Sequence, residues 1–116
     1  MQESKIYPDR QKRALVDIDE TICFYEDKRI YEKAIPNKNN IGKINKLKEE
    51  GWHITYWTAR GGFTERSLYK FTKDQLESWG CKFDDLIVGY TTIYGSAVKP
   101  QVDLIIDDKA KRIEEL

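Results

Sequence analysis

The fold is decided by residues 14–21, which read ALVDIDET. Residues 14–18 form a short, mainly apolar run, which is typical of a strand buried on both faces of a parallel sheet. Asp17 and Asp19 occupy the end of this run, and Thr21 follows. In α/β sheets, ligands bind at the carboxyl ends of the strands. The stretch therefore predicts an α/β protein with a polar site where the first strand ends.

Outward from this strand, the pattern alternates between strands and helices. Residues 1–13 are a polar leader, and residues 22–35 carry aromatic and charged side chains that favour a hairpin or an irregular flap. Asn37 can cap a helix with an apolar stripe at Ile41, Ile44 and Leu47, and Gly51 can end it. Residues 52–58 then predict the second strand.

The second half of the chain repeats this alternation. A helix is expected to open at Thr64 and to end near Gly80, with its apolar side chains at Leu68, Phe71, Leu76 and Trp79. Strands are expected over residues 86–88 and 102–106, followed by a charged helix. Strands that alternate with helices indicate a parallel sheet with helices on both faces, a three-layer α/β/α arrangement of Rossmann type.

Composition limits the possible classes of protein. The chain has 116 residues, which allows one domain over 1–116, and 20 basic residues balance 20 acidic ones. This neutrality argues against nonspecific nucleic-acid binding, and no apolar stretch is long enough to span a membrane, so we expect a cytoplasmic protein. The two cysteines form no CxxC pair, which argues against a zinc site.

The polar residues that follow the predicted strands form one chemical set. They are Asp17, Asp19 and Thr21 after the first strand, Thr58 and Arg60 after the second, and Asp107 and Asp108 after the last, with Lys99 just before it. Carboxylates that converge on one edge repel each other and require a cation. Because the candidate ligands are oxygen atoms, Mg²⁺ is the expected ion, and with it the site can receive a phosphate group.

Residues 17–21, DIDET, resemble the DxDxT signature of the haloacid dehalogenase superfamily, most of whose members are phosphatases. The later motifs follow in that family's order. Thr58 resembles the second motif, Lys99 the third, and Asp107 with Asp108 the fourth. The resemblance covers residues 14–109 and implies the same α/β core.

The resemblance also implies a mechanism. Asp17 is expected to attack phosphorus and form a phosphoaspartate, while Asp19 protonates the leaving oxygen and later deprotonates the attacking water. Asp19 must then start protonated, and we expect neighbouring carboxylates to raise its pKa. Mg²⁺ is expected to bind Asp17, the Asp19 backbone carbonyl and Asp107, with Asp108 as a further candidate ligand.

The remaining site residues are assigned to the phosphate and to the substrate. Lys99 and Thr58 are expected to stabilise the transferred group, with Lys82 and Lys109 as competing lysines. The candidate substrate-binding residues are Thr21, Ala59, Arg60 and Gly61. For Arg60 two readings stay open, a contact with the substrate and a surface arginine in a loop.

The intervals between the motifs leave no room for a cap domain, so the expected enzyme is capless. An open site accepts a large substrate or is closed by a neighbouring subunit, which makes a homo-oligomer an expected state.

The motifs WTARGG and IDDKA resemble small phosphatases of capsule and cell-surface sugar pathways, and also polynucleotide 3′-phosphatase domains. Neutral charge favours a sugar phosphate over a nucleic-acid end. A non-catalytic phosphoacceptor or binding module is the alternative of another class.

Overall fold

The computed structural model describes residues 11–61, 65–89 and 102–107. Its main sheet has four parallel strands in the order β5-β4-β1-β6. They are β1 (Arg13–Asp17), β4 (His53–Thr58), β5 (Asp85–Val88) and β6 (Leu104–Ile106). The parallel sheet expected from the apolar strands is therefore confirmed, and β1 lies inside it with a partner on each side.

Two helices accompany the sheet in the described part of the chain. Helix α1 spans Lys38–Glu49 and contacts β4, and α2 spans Glu65–Ser78 and contacts β5. The predicted cap of α1 is confirmed, since the Asn37 side chain accepts a hydrogen bond of 3.0 Å from the backbone N–H of Asn40. Gly51 follows the helix with φ 101°, in the left-handed region that favours glycine.

The predicted flap is a small hairpin. Strands β2 (Cys23–Phe24) and β3 (Ile35–Pro36) pair antiparallel, and a 3₁₀ helix over Tyr31–Lys33 lies between them. The backbone N–H of Asn37 donates to the carbonyl of Ile22 at 2.9 Å. This bond joins the base of the flap to the start of α1, so the flap stays beside the end of β1.

The core packs against the sheet. Three consecutive residues of β1, Ala14–Val16, are buried, whereas burial alternates along β4. Along β4, Ile54, Tyr56 and Thr58 are buried, whereas the residues between them are half-buried. The buried apolar residues are Ala14, Leu15, Val16, Ile18, Ile22, Cys23, Ile41, Ile44, Ile54, Tyr56, Leu76, Cys81, Leu86, Val88 and Ile106. The stripe predicted for α1 is confirmed, because Ile41 and Ile44 are buried and Leu47 packs against them.

Some boundaries differ from the predicted ones. The first strand begins at Arg13 instead of 14, and the last begins at Leu104 instead of 102. Arg13 belongs to β1 because it pairs with His53 of β4. Beside β6, the Arg13 N–H donates to the Asp103 side chain at 2.8 Å, and the paired residues of β6 begin at Leu104. The predicted opening of α2 at Thr64 and the charged terminal helix lie outside the described residues.

Neither of the two helices described in residues 38–49 and 65–78 is long and apolar enough to cross a membrane.

Candidate functional site

Residues from three strands lie at the carboxyl edge of the main sheet. Strand β1 ends at Asp17 and β4 ends at Thr58. Val16 pairs with Ile106 of β6, so Asp107 follows Ile106 as Asp17 follows Val16. Because these strands run parallel, Asp17, Thr58 and Asp107 lie at one edge of the sheet.

A tight turn after β1 carries Asp19 to the same edge. The carbonyl of Ile18 accepts hydrogen bonds from the backbone N–H groups of Thr21, at 3.2 Å, and Ile22, at 3.0 Å. Glu20, within this turn, has φ 68°, a left-handed conformation that is uncommon for a residue with a side chain. The turn reverses the chain within a few residues, which returns the Asp19 side chain toward β4.

The Asp19 carboxylate is surrounded by hydrogen-bond donors. Its Oδ1 accepts from the Tyr25 hydroxyl at 2.6 Å and from Arg60 Nη2 at 2.9 Å. Its Oδ2 accepts from Thr58 Oγ1 at 2.9 Å and from Arg60 Nε at 3.1 Å. Cys23 Sγ adds a weak donor, 3.6 Å from Oδ1. The bonds from Arg60 form a bidentate ion pair, the strongest arrangement of these two groups.

The guanidinium of Arg60 is completely enclosed. Its side chain is 0% exposed, and the Asp19 side chain is 6% exposed. Besides the two bonds to Asp19, Nη2 donates to the Tyr25 hydroxyl at 3.4 Å, and Nη1 donates to Thr72 Oγ1 at 3.3 Å and to Gln75 Oε1 at 2.8 Å. A guanidinium has five N–H donors, so each of them has an acceptor within the protein. Arg60 therefore acts as a buried junction between the turn, the flap and α2.

The same junction fastens the flap. Arg60 stacks on the Tyr31 ring, with its guanidinium carbon 4.7 Å from the ring centroid. Gln75, which accepts from Arg60, also donates from Nε2 to the Tyr31 carbonyl at 2.7 Å. Tyr25 is held through its hydroxyl by Asp19. Two tyrosines of the flap are thus tied to the residues that follow β1 and β4.

The expected rise in the pKa of Asp19 is wrong. Burial acts to raise this pKa, but the hydrogen bonds and positive charge of Arg60, with the hydroxyls of Tyr25 and Thr58, hold it below its usual value. The expectation counted only the carboxylates of the site, whereas the nearest charged group is a cation. These contacts favour the ionised form of Asp19, opposite to the direction that was expected.

The reading of Arg60 as a surface arginine in a loop is also wrong. Arg60 is 2% exposed, and burial of an arginine is tolerated here because Asp19 neutralises it. The hydroxyl of Thr58 is similarly engaged, since it donates to Asp19 and accepts a 3.1 Å bond from the Arg60 backbone N–H. To donate to a ligand, either side chain would have to exchange a partner that it already holds.

A cavity of about 250 Å³ opens at this edge. Two of the predicted carboxylates, Asp17 and Asp19, are in its lining, whereas Asp107 is not. The lining residues are Asp17, Asp19, Glu20, Arg29, Tyr31, Trp57, Thr58, Ala59 and Arg60. Five of the predicted site residues are in this set, namely Asp17, Asp19, Thr58, Ala59 and Arg60. The cavity is large enough for a phosphate group and a small part of its leaving group.

Other predicted site residues lie outside this lining. Thr21 is 2% exposed, and its carbonyl accepts from Asn40 Nδ2 at 3.0 Å, beneath the turn. Gly61 is exposed beyond the end of β4. Lys82 precedes β5, at the amino edge of the sheet, which removes it as a phosphate-binding lysine. The predicted residues Lys99 and Asp108, and the competing Lys109, lie outside the described residues.

The donor set fits a hard cation such as Mg²⁺. Within residues 11–61, 65–89 and 102–107, no group of three or more His, Cys, Asp or Glu side chains is arranged to hold a metal ion. Mg²⁺, however, commonly binds through one or two carboxylates and takes its other ligands from water and substrate phosphate. Asp17 and Asp107, level on adjacent strands, are the two carboxylates that would bind such an ion, whereas the Asp19 side chain is committed to Arg60.

Sequence reasoning missed several residues of the site. Thr72 and Gln75, polar residues on the same side of α2 as Leu76, carry the hydrogen bonds to Arg60. A signal was present, because polar side chains on the buried face of an amphipathic helix require partners. Tyr25 and Tyr31 lie in the flap, where no periodic pattern distinguishes a tyrosine that faces the site from one that faces solvent.

No protein-family model matches this chain, and a search of curated proteins finds no match either.

Proposed function

We propose that the protein is a Mg²⁺-dependent phosphomonoesterase that acts through a phosphoaspartate on Asp17. The observation that carries the proposal is the meeting of Asp17, Thr58 and Asp107 at the carboxyl edge of a parallel sheet, with Asp17 lining a cavity. A carboxylate nucleophile at this position divides phosphate transfer to water into two easier steps. This function also agrees with the resemblance of residues 17–21 to the DxDxT signature.

The chemistry assigned to the chain has two steps. In the first, an Asp17 oxygen forms a bond to phosphorus while the bond from phosphorus to the leaving oxygen breaks, and the leaving oxygen takes a proton from solvent. In the second, water attacks phosphorus, the bond between phosphorus and Asp17 breaks, and phosphate is released; Asp19 accepts a proton from that water and then returns it to solvent. Bound Mg²⁺ would neutralise charge between the carboxylates and the phosphate. Thr58, by exchanging its bond to Asp19, can donate to a phosphate oxygen.

The state of Asp19 refines this scheme. An ionised Asp19 carboxylate can act as the base of the second step once it exchanges one of the donors that hold it. Because it carries no proton at the outset, it gives little help to a poor leaving group in the first step. We therefore expect aryl phosphates, which leave without protonation, to be hydrolysed faster than alkyl phosphates by this site.

The proposal includes finer features of the molecule. They are a three-layer α/β/α core without a cap domain, association into a homo-oligomer that covers the open site, and a sugar phosphate or related small metabolite as substrate. A 3′-phosphorylated polynucleotide is the alternative substrate. The free, buried thiols of Cys23 and Cys81 support a reducing compartment, the cytoplasm.

The direct test is phosphate release by the purified protein with Mg²⁺, from sugar phosphates, nucleotides, aryl phosphates and 3′-phosphorylated oligonucleotides. We expect turnover of at least one class, loss of turnover with a chelator, and its return with added Mg²⁺. Asp17→Asn should reduce turnover to the uncatalysed rate. Asp74→Asn is the matched control, because Asp74 lies exposed on α2, paired with Lys70. Full activity of Asp17→Asn would exclude the covalent mechanism.

One observation favours a second candidate function, a non-catalytic phosphoacceptor. Asp19 is saturated by Arg60, Tyr25 and Thr58, so the group that would hydrolyse a phosphoaspartate is engaged elsewhere. This reading predicts that Asp17 accepts phosphate from a small donor such as acetyl phosphate and keeps it for minutes or longer. Mass spectrometry of the intact protein over time separates the two functions, since an efficient phosphatase leaves no persistent adduct.

A further inference from the structure

The charged residues of the cavity do not all have the same freedom to bind a ligand. The lining contains two cations, Arg29 and Arg60, and three carboxylates, including Glu20. Arg60 uses all five of its N–H donors on protein acceptors. Among the described lining residues, Arg29 is therefore the cation that can contact an anionic ligand without loss of a buried ion pair.

Arg29 is held loosely by its neighbours in the protein. Its Nη2 lies 3.6 Å from Glu20 Oε2, beyond hydrogen-bond distance, and the two side chains are 53% and 44% exposed. An exposed pair of this kind contributes little to stability because water screens it. Replacement of Glu20 by an anionic ligand beside Arg29 would therefore cost little free energy.

The position of Arg29 indicates which part of the substrate it would contact, namely the leaving group. Its guanidinium carbon lies 5.5 Å from the centroid of the Tyr25 ring, and the hydroxyl of Tyr25 donates to Asp19. Tyr25 therefore contacts Arg29 through its ring and Asp19 through its hydroxyl. In the proposed mechanism Asp19 takes a proton from the attacking water, which approaches phosphorus from the side that the leaving oxygen has vacated. A group bound to Arg29 would therefore belong to the leaving group and not to the phosphate that is transferred.

We propose that Arg29 binds a second anionic group, a carboxylate or a phosphate, on the leaving group of the substrate. This inference rests on the proposed function and narrows its substrate class to phosphomonoesters that carry another negative charge. Glu20, which its left-handed turn places in the cavity lining, pairs with Arg29 until such a substrate binds. Neutral leaving groups lack the charge needed to displace it.

Two matched pairs of compounds test the inference. Glycerol 3-phosphate and 3-phosphoglycerate differ by a carboxylate at the far carbon, and fructose 6-phosphate and fructose 1,6-bisphosphate differ by a phosphate. Calorimetry with Asp17→Asn and Mg²⁺ measures binding without turnover, and kcat/KM of the parent protein measures catalysis. We expect the anionic member of at least one pair to be preferred, and the pair that responds identifies the group that Arg29 accepts.

The variants isolate Arg29 from general charge effects. Arg29→Gln, made alone and with Asp17→Asn, should weaken binding and kcat/KM for the preferred anionic compound about tenfold to a hundredfold, the loss of a charge-assisted hydrogen bond. It should change the neutral compound about twofold or less. Lys28→Gln removes the adjacent exposed positive charge and should leave the preference intact. Glu20→Gln, which frees Arg29, should strengthen binding of the anionic compound.

The two proposals fail in different ways. No preference in the parent protein, or a preference unchanged by Arg29→Gln, overturns the role of Arg29 even if the protein is a phosphatase. An Arg29-dependent preference in binding without any turnover supports the anion site and overturns the phosphatase. Equal losses for Arg29→Gln and Lys28→Gln would overturn the inference as a general charge effect.

Discussion

At the scale of single residues, the ion pair of Asp19 and Arg60 determines the character of the site. Both side chains are almost fully buried, so each charge depends on the other for its stabilisation. The pair also positions the site, because Arg60 reaches Gln75 on α2 and Tyr25 on the flap in addition to Asp19. A local substitution at Arg60 should therefore have effects on both stability and the site.

We predict that Arg60→Met lowers the free energy of unfolding by about 3–5 kcal/mol, because it leaves the buried carboxylate of Asp19 without a compensating positive charge. Urea unfolding at neutral pH measures the change. Asp19→Asn with Arg60→Met should recover part of the loss, since the uncompensated charge is then absent. Lys70→Met, which breaks an exposed pair with Asp74, is the control and should leave stability unchanged. A loss at Arg60 no larger than this control would show that the ion pair is not a stabilising contact.

At the scale of elements, Asp84 joins α1 to the sheet. Its Oδ1 accepts from Lys48 Nζ at 2.7 Å, at the end of α1, and its Oδ2 accepts from the backbone N–H of Ile54 at 2.8 Å, in β4. Its own N–H donates to the Ile54 carbonyl at 2.8 Å. Partial burial acts to raise the pKa of Asp84, but the bonds from Lys48 and Ile54 outweigh it and hold the pKa below 3.8.

This shift predicts a pH-dependent contribution to stability. A carboxyl group with a lowered pKa in the folded state stabilises the protein above its unfolded pKa, and the contribution disappears as pH falls through the folded value. Asp84→Asn should therefore cost about 1 kcal/mol at pH 6, and the difference from the parent protein should shrink below about pH 4. Urea midpoints of both proteins at pH 6 and pH 3 test this. A difference that grows toward low pH would contradict the assigned direction of the shift.

At the scale of the whole molecule, β6 completes a core that β1 began about 90 residues earlier in the chain. Ile106 is fully buried and pairs with Val16, whereas the preceding Ile105 is 39% exposed. The same pairing sets Asp107 level with Asp17. The register between β1 and β6 therefore determines both how β6 packs on the core and which carboxylates lie together at the candidate metal site.

We predict that Ile106→Ala costs about 2–5 kcal/mol of unfolding free energy, because it leaves a cavity in the core. Ile105→Ala removes the same atoms from a partly exposed position and should cost less than about 1 kcal/mol. Urea denaturation of the two variants provides the comparison. Equal losses would mean that β6 is not packed on the core through Ile106.

The predictable part of the fold and site came from patterns that are local in the chain. The burial of residues 14–16, the cap at Asn37 and the stripe of α1 follow from apolar spacing and capping preferences, which operate over a few residues. The rule that ligands bind at the carboxyl ends of parallel strands then placed Asp17 and Thr58 together. The burial of Arg60 could not be predicted in this way, because its partner Asp19 lies 41 residues away in the chain.

By itself, the sequence determined that β1, β4, β5 and β6 are strands and that α1 is a helix, and that Asp17 and Thr58 end their strands, because periodicity and end signals are short-range properties. Tertiary structure decided the direction of the Asp19 pKa shift and the burial of Arg60. It also decided that Tyr25 holds the flap against the site and that Arg29 lies beside Tyr25. The physical reason is that a pKa and a burial depend on which groups surround a side chain in space, and these groups come from the turn, the flap, β4 and α2 together.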